Sequence, residues 1–259
     1  MNNIEIRVLN PEAIYNCEQM MVTAARLTQH GHKIHNLDDF MNLYEKPYSS
    51  ATVMNMSKLP HPTIQKFGVI NVVIVGASRR FLAQITRHQN EVKFMSASCQ
   101  YSDYSNEADF VVPYELLDNE AAKNQYIESC KSSLEMYEEA ICNEIDHDSA
   151  AYMLPQGLRN ILIISATPYQ WKHMISQRVC RRNTLETRYV MLMIWKELFE
   201  LSPMLFDPKT TGPFCQQEKC LEGKMTCGNP IDIIMTPQKI LINDFSKIYK
   251  EENNEDQIN

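Results

Sequence analysis

Glycine is scarce in this chain, with seven residues in 259. Neither GxGxxG nor GxxxxGK(S/T) is present, which excludes the glycine-lined phosphate loops of dinucleotide-binding and P-loop proteins. GxSxG is absent too, so the nucleophile elbow of the α/β-hydrolases is excluded. Positive charge is not in excess: 25 Lys and Arg against 32 Asp and Glu give a net charge of −7. That balance argues against a duplex nucleic-acid binder, though it leaves room for a small anion held by a few local arginines. No apolar run approaches membrane-spanning length, and "MNNIEIRVLN" lacks a basic-then-apolar leader, so no membrane contact and a cytoplasmic location are expected. There is no internal repeat and no CxxC pair.

What is present is ordinary for a globular chain: 44% hydrophobic and 22% charged residues, at a length that buries a sizeable core. Apolar spacing predicts a helix over 11–28, a polar connection holding His30, His32 and His35, and a helix resuming near Leu37. "FGVINVVIVGAS" reads as a strand, and "SRRFLAQITRH" as a helix running into Arg87. A long amphipathic helix is expected from Asp118 to about Asp146. "ILIISATP" reads as a second strand, with Pro168 opening the next helix at its first turn. "TLETRYVMLMIWKELFELSP" is a long apolar-faced helix stopped by Pro203. Strands interleaved with longer helices predict an α+β (mixed α/β) single domain. Residues 1–210 are expected to form its main body, and 211–259 a cysteine-containing extension ending in a frayed acidic tail, "EENNEDQIN".

Eight cysteines are present. Cys17, Cys99, Cys130, Cys142 and Cys180 are scattered, and reduced thiols are expected. Cys215, Cys220 and Cys227 lie together in "CQQEKCLEGKMTC". Three thiolates suit zinc, but no fourth ligand lies nearby in sequence, so a structured thiol-bearing loop and no metal are expected.

Candidate chemistry gathers in "RHQNEVKFMSASCQYSDY", Arg87 to Tyr104, which reads as one turn-rich connection. Small residues and hydroxyls at Ser98–Gln100 suit a phosphate cradle, Arg87 a bidentate charged contact, and Tyr101 and Tyr104 stacking faces. A second arginine group is "QRVCRRNTLETR", with Arg178, Arg182 and Arg188; Arg178 and Arg182, four apart, are expected on one helix face, either as an anion site or as a solvated surface with Glu186 as an ion partner. Arg79 and Arg80 read as a solvated face.

Taken in order, these segments resemble the flavin-dependent thymidylate synthases. The family signature RHRxxSxNExSxRY is similar to "RHQNEVKFMSASCQY" with one inserted residue, and "AQITRH" sets Gln84 three residues ahead of Arg87. "HPT" (His61–Thr63) is similar to the flavin-contacting HxT/S, and "AARLTQ" (24–29) to the family's N-terminal segment. "MLPQGL" resembles its xLP element. "KHMISQRVCRRNTLETR" resembles HFLxLRxxxxAQxEIR, aligning His173, Arg178 and Glu186; "LFELSPMLF" resembles the closing segment. The likeness spans roughly residues 20–206. It departs at Gln89, Gln100 and Ala151, where the family has arginine, and at Thr167 and Tyr169, where it has Asn and Arg. The family's Glu falls on Ser96, or on Glu91 with the insertion placed differently. Lys93, Lys172 and Arg182 are candidates to restore lost cations.

The resemblance implies an antiparallel or mixed sheet flanked by long helices, and reductive methylation of dUMP to dTMP. It implies FAD reduced by NADPH, 5,10-methylenetetrahydrofolate as one-carbon donor, and a homotetramer with sites at subunit interfaces. By position, Arg178 stabilises charge on the pyrimidine as the catalytic group. Gln84, Arg87, Ser96, Ser98, Cys99 and Gln100 join it in holding dUMP; His61, Thr63, Arg87, His88, Gln89 and His173 contact FAD. The departures keep two alternatives open: a methyl- or hydroxymethyltransferase acting on another pyrimidine nucleotide, and a non-catalytic flavin- or nucleotide-binding protein.

Overall fold

A computed structural model describes residues 4–250, Pro60 and Glu107 apart. The tail 251–259, expected to fray, lies outside the described residues. The elements in chain order are strand β1 (Glu5–Val8), helices α1 (Glu12–His30), α2 (Leu37–Tyr44) and α3 (Ser50–Ser57), strand β2 (Ile70–Ser78), helix α4 (Arg79–Ile85) and strand β3 (Val92–Ser96). Helices α5 (Glu120–Cys142) and α6 (His147–Ala150), strand β4 (Arg159–Ala166), and helices α7 (Pro168–Arg178), α8 (Leu185–Leu201), α9 (Phe214–Gln217) and α10 (Pro237–Phe245) follow.

The four strands form one antiparallel sheet in the order β1-β2-β4-β3. Alternation gives it two unlike faces. Ile70, Val72, Ile74, Leu162, Ile164 and Ala166 are buried against the helices. Helix α8 is the main partner, with Val190, Met191, Ile194, Trp195 and Leu198 fully buried along it. The other face carries Val75, Met95, Ile161 and Ile163, all exposed, with Met95 at 72%; Val75 pairs with Ile161, and Met95 with Ile163. The segment after residue 210 joins the same core through Ile231, Met235, Ile240, Leu241 and Phe245.

The expected helices and the two expected strands are present, with trimmed ends: the helix expected to reach Asp146 stops at Cys142. Strand β1 goes beyond the expectation, as do α3 and α10, each opened by a side-chain cap, Ser49 and Thr236 respectively. One correction matters for the site. Arg87–Tyr104 is not a single connection, because Val92–Ser96 forms edge strand β3 against β4. Its exposed Lys93 and Met95 alternate with half-buried Val92 and Phe94, the period of a strand with one wet face.

The turn between α7 and α8 is clamped from the far end of the chain. Asp244 on α10 receives Arg181 through Nε and Nη2 (3.1 and 2.9 Å) and also Arg188. Arg188 is 3% exposed. Burial works to raise the Asp244 carboxyl, but the hydrogen bonds from Arg181 and Arg188 outweigh it and hold the group below its ordinary range. Asp244→Ala leaves a buried guanidinium without its carboxylate and is expected to cost about 3 kcal/mol in urea unfolding. Asp118→Ala removes only an exposed partner of Lys247 and is expected to cost under about 1 kcal/mol. Equal costs would contradict this ranking.

Candidate active site

Each central strand hands the chain to a helix through a capped turn. Ser78 Oγ accepts from the Phe81 N–H at the start of α4 (3.1 Å), while the Ser78 N–H and hydroxyl both donate to Glu186 of α8 (2.7 and 2.6 Å). Thr167 Oγ1 accepts from the Gln170 N–H (3.3 Å), and Pro168 opens α7 with its ring already at helical φ. Because β2 and β4 are antiparallel, α4 and α7 start from opposite ends of the sheet. Their C-termini meet at Arg178, whose Nη2 donates to the Gln84 carbonyl (2.9 Å).

From that junction, residues 87–91 run back along α7, leaving a cavity of about 700 Å³ between the two. Its walls are Arg87, His88, Gln89, Asn90 and Glu91 on one side and Tyr169, Gln170, His173 and Gln177 on the other, with Lys66 at one end. Tyr169, His173 and Gln177 stand four apart, a polar stripe on a helix that otherwise buries Trp171, Met174 and Ile175. The His88 and His173 rings meet edge to face at 6.1 Å between centroids.

Arg178 is fixed by three contacts: Nε to His88 Nε2 (2.8 Å), Nη2 to the Gln84 carbonyl, and a longer one from Nη1 to Asn183 Oδ1 (3.4 Å). No carboxylate is among these partners. A guanidinium must donate, so Nε2 of His88 accepts and its ring proton sits on Nδ1. Burial, then the charge of Arg178, then His173 push the His88 pKa down to about 4. Burial and the like charge of Arg87 lower that of Arg178. Arg87 on the cavity wall and Arg178 behind it, on His88, are therefore like charges with no acid bonded to Arg178, an arrangement that favours an anionic occupant. Lys66 sits 5.1 Å from the Tyr169 ring centroid and pairs with Glu91 at 2.8 Å. Glu91 adopts a left-handed φ of 54°.

The structure brings Arg87, His88, Gln89, His173 and Arg178 together, with Gln84 contributing its carbonyl. His61 and Thr63 are exposed on the 3-10 turn that leads to Lys66, and are not among the cavity's lining residues. Ser96 is half-buried at the end of β3, facing the helices with Phe94. Ser98, Cys99 and Gln100 lie beyond that end. Five strand residues span about 17 Å, so within one copy this segment is remote from Arg87.

Several expectations are corrected. Helix α7 ends at Arg178, and Arg182 falls in the following turn, exposed, so the two do not share a helix face. Glu186 caps Ser78 rather than pairing with arginine. Arg79 is not a solvated residue: its Nη1 donates to Cys99 Sγ (2.9 Å), which sets a cation beside Ser98–Gln100. Tyr104 packs edge-on against Tyr137 instead of offering a free face. Lys172 is buried on Gln65 (2.9 Å); burial pushes its ammonium down to about 7 against the pull of Asp207, and it supplies no cation to the cavity. Lys66 and Gln177 were not singled out from sequence, although the i, i+4 polar stripe ending at Gln177 was open to detection; Glu91 entered only as the alternative position of the family's Glu, and Arg79 only as part of a solvated pair.

Comparison with known proteins follows this geometry. The family model described as "Thymidylate synthase complementing protein" matches residues 12–204. A flavin-dependent thymidylate synthase of Thermococcus onnurineus is 26% identical over 172 residues, covering 64% of this chain and 69% of that protein. One of Geobacter sulfurreducens is 21% identical over 185 residues, covering 71% and 78%. Among solved structures, a UMP/dUMP methylase, PolB, from Streptomyces cacaoi with bound 5-Br dUMP aligns with a TM-score of 0.62 at 13% identity. It covers 81% of this chain and 96% of that one, and the likeness is one of fold.

His88 gives a pH test. Its folded pKa lies below the unfolded value near 6.5, so between about pH 6.5 and pH 4 the unfolded chain binds more protons. The stability it contributes is complete above pH 6.5 and is lost as pH falls through 4, about 3 kcal/mol in all. In urea unfolding from pH 7 to 4, His88→Gln is expected to flatten this part of the profile. An unchanged slope would contradict a buried neutral His88.

Proposed function

This chain belongs to the thymidylate synthase complementing protein family, and on that premise we propose that it is a flavin-dependent thymidylate synthase converting dUMP to dTMP. The observation that carries the reading is the Arg87–Arg178 pair: Arg87 lines a cavity in the size range of ligand sites, Arg178 stands behind it on His88, and the carboxylate in the wall, Glu91, is paired with Lys66. The lining suits a flavin: amide side chains at Gln89, Asn90, Gln170 and Gln177 for a heteroaromatic edge, flat surfaces at Tyr169, His88 and His173, and cations at Lys66 and Arg87 for a diphosphate. FAD, reduced by NADPH, supplies a hydride when bound, and 5,10-methylenetetrahydrofolate supplies the one-carbon unit.

The protein's task is then orientation and charge. Arg178, locked by His88 and Gln84, holds the pyrimidine edge and stabilises the negative charge that develops on the ring as C5 becomes nucleophilic. Neutral His88 is essential to this: as an imidazolium it would repel Arg178 rather than accept its N–H. Lys66 over Tyr169 supplies a cation where the family motif carries arginine at that turn. Arg79 does the same beside Gln100, where another family arginine is replaced.

Ser98, Cys99 and Gln100 cannot reach the Arg87 cavity of their own copy, so we assign them to the dUMP phosphate of a neighbouring copy's site. The uncovered sheet face of Val75, Met95, Ile161 and Ile163 supports a homotetramer in which that sharing occurs. A methyl- or hydroxymethyltransferase on another pyrimidine nucleotide is the second reading. Gln89, Gln100 and Ala151, each neutral where the family has arginine, favour it.

The deciding experiment is mass-spectrometric product analysis after anaerobic incubation with FAD, NADPH and methylenetetrahydrofolate, with dUMP, UMP or dCMP offered separately. One methyl gained on dUMP alone is the expected result. Product from another nucleotide, or an added oxygen, would establish the second reading; flavin binding without product would overturn both. Arg178→Lys keeps the charge but cannot reach both His88 and Gln84; it is expected to lower kcat about 100-fold with little change in melting temperature. Ile163→Glu is expected to break the tetramer in light scattering and abolish turnover together. A fully active tetramer of this variant would contradict the shared-site arrangement.

A further inference from the structure

Cys180 is 35 residues upstream of Cys215 in sequence, yet the fold sets it with the clustered cysteines. It follows α7 by two residues, and its side chain shares a small cavity with Cys215, Cys220 and Cys227. Their neighbours on its wall include Arg181 and Glu222. The fourth sulfur that the linear sequence does not offer to "CQQEKCLEGKMTC" is thus supplied from another element.

We propose that Cys180, Cys215, Cys220 and Cys227 form a four-thiolate zinc site that fastens segment 213–231 to the C-terminal end of α7.

Three features of the cavity support this ligand class. The space is about 10 Å³, room for roughly one water-sized sphere, which admits a single ion and excludes an organic ligand or a multi-iron cluster. Three of the four sulfurs accept a backbone hydrogen bond, as thiolate ligands do. The Ile231 N–H donates to Cys215 Sγ (3.3 Å) and the Asn229 N–H to Cys227 Sγ (3.4 Å); Cys220 Sγ instead donates to Thr226 Oγ1 (3.6 Å), a proton it must release to act as a ligand. At Cys180 the Arg182 backbone N–H donates to the sulfur. In two of the four cases the donor lies two residues beyond its cysteine, and at Cys227 that turn passes through Gly228 at φ 73°. Such a tight turn folds the backbone N–H back toward the ligand sulfur.

Charge also fits. Four thiols binding Zn²⁺ release four protons, transfer no electrons and leave a centre of net charge −2. Arg181, held on Asp244 and on the Asn229 carbonyl (2.8 Å), presents its guanidinium to the same space. Among the described residues no three His, Cys, Asp or Glu side chains, these cysteines included, stand where they could hold a metal ion as placed. Closing the site therefore needs the thiols to turn inward between staggered rotamers. All four cysteines are free of disulfides, as a zinc site requires. The consequence for the fold is local: the ion would brace the chain two residues past Arg178.

The test uses the full chain, purified without chelator from zinc-supplemented medium. Elemental analysis is expected to give one zinc per chain. Replacement by Co²⁺ is expected to produce sulfur-to-cobalt charge transfer in the near ultraviolet and strong tetrahedral bands in the visible. Cys180→Ser and Cys215→Ser should each abolish stoichiometric zinc retention, while Cys142→Ser, an exposed cysteine away from the cavity, should retain it. Wild-type metal content and the cobalt spectrum need no variant, so a misfolded mutant does not blunt the test. Absence of zinc together with a cobalt spectrum lacking charge transfer would overturn the proposal. So would zinc retained undiminished by Cys180→Ser, or a disulfide between any two of the four in protein isolated under reducing conditions.

Discussion

The contact on which the site depends is Arg178 Nε to His88 Nε2, 2.8 Å long. It joins the end of α7 to the segment leaving α4, and so fixes the distance between the two helices that the central strands launch from opposite ends of the sheet. A hydrogen bond of this kind holds only while the imidazole is neutral, and burial beside a guanidinium keeps it so. The same arrangement leaves Arg178 without a carboxylate, its charge balanced by nothing in the immediate wall. An anion-seeking site follows from that pairing: the protein holds the cation in place with neutral groups and leaves the counter-charge to the ligand.

The rest of the fold supports this geometry from a distance. Glu186 caps α4 through Ser78, Thr167 caps α7, and Asp244 reaches back from α10 to hold Arg181 and Arg188. The turn just beyond Arg178 is therefore held by side chains from α10 and bordered by the four cysteines. Edge strand β3 has the opposite effect. By carrying the chain about 17 Å along the sheet, it separates Arg87 from Ser98–Gln100 and makes a shared site the economical way to use both.

Much of this was legible in the sequence where burial and period agree. The Val/Ile run of β2, the Pro168 helix start and the apolar stripe of α8 read directly, because each is a local pattern answering to one core. The order of segments also carried the family likeness, which no single motif did. The failures share a cause. Strand β3 was hidden because its V-K-F-M-S alternation is short and sits among hydroxyls and turn residues that suggest a loop. Arg178 and Arg182 were paired by a helical period that stops at Arg178, where the backbone turns at residues 180–184. Arg79, Lys66 and Cys180 acquire their neighbours only through contacts 20 or more residues away, which no window along the chain contains.

The central claim is that a neutral His88 holds Arg178 in place, and the most direct measurement is nitrogen-15 NMR of the imidazole rings through a pH titration. The account predicts that His88 stays neutral, with its proton on Nδ1, until well below pH 6. A wild-type His88 that titrates near its usual value of about 6.5, or carries its proton on Nε2, would contradict it.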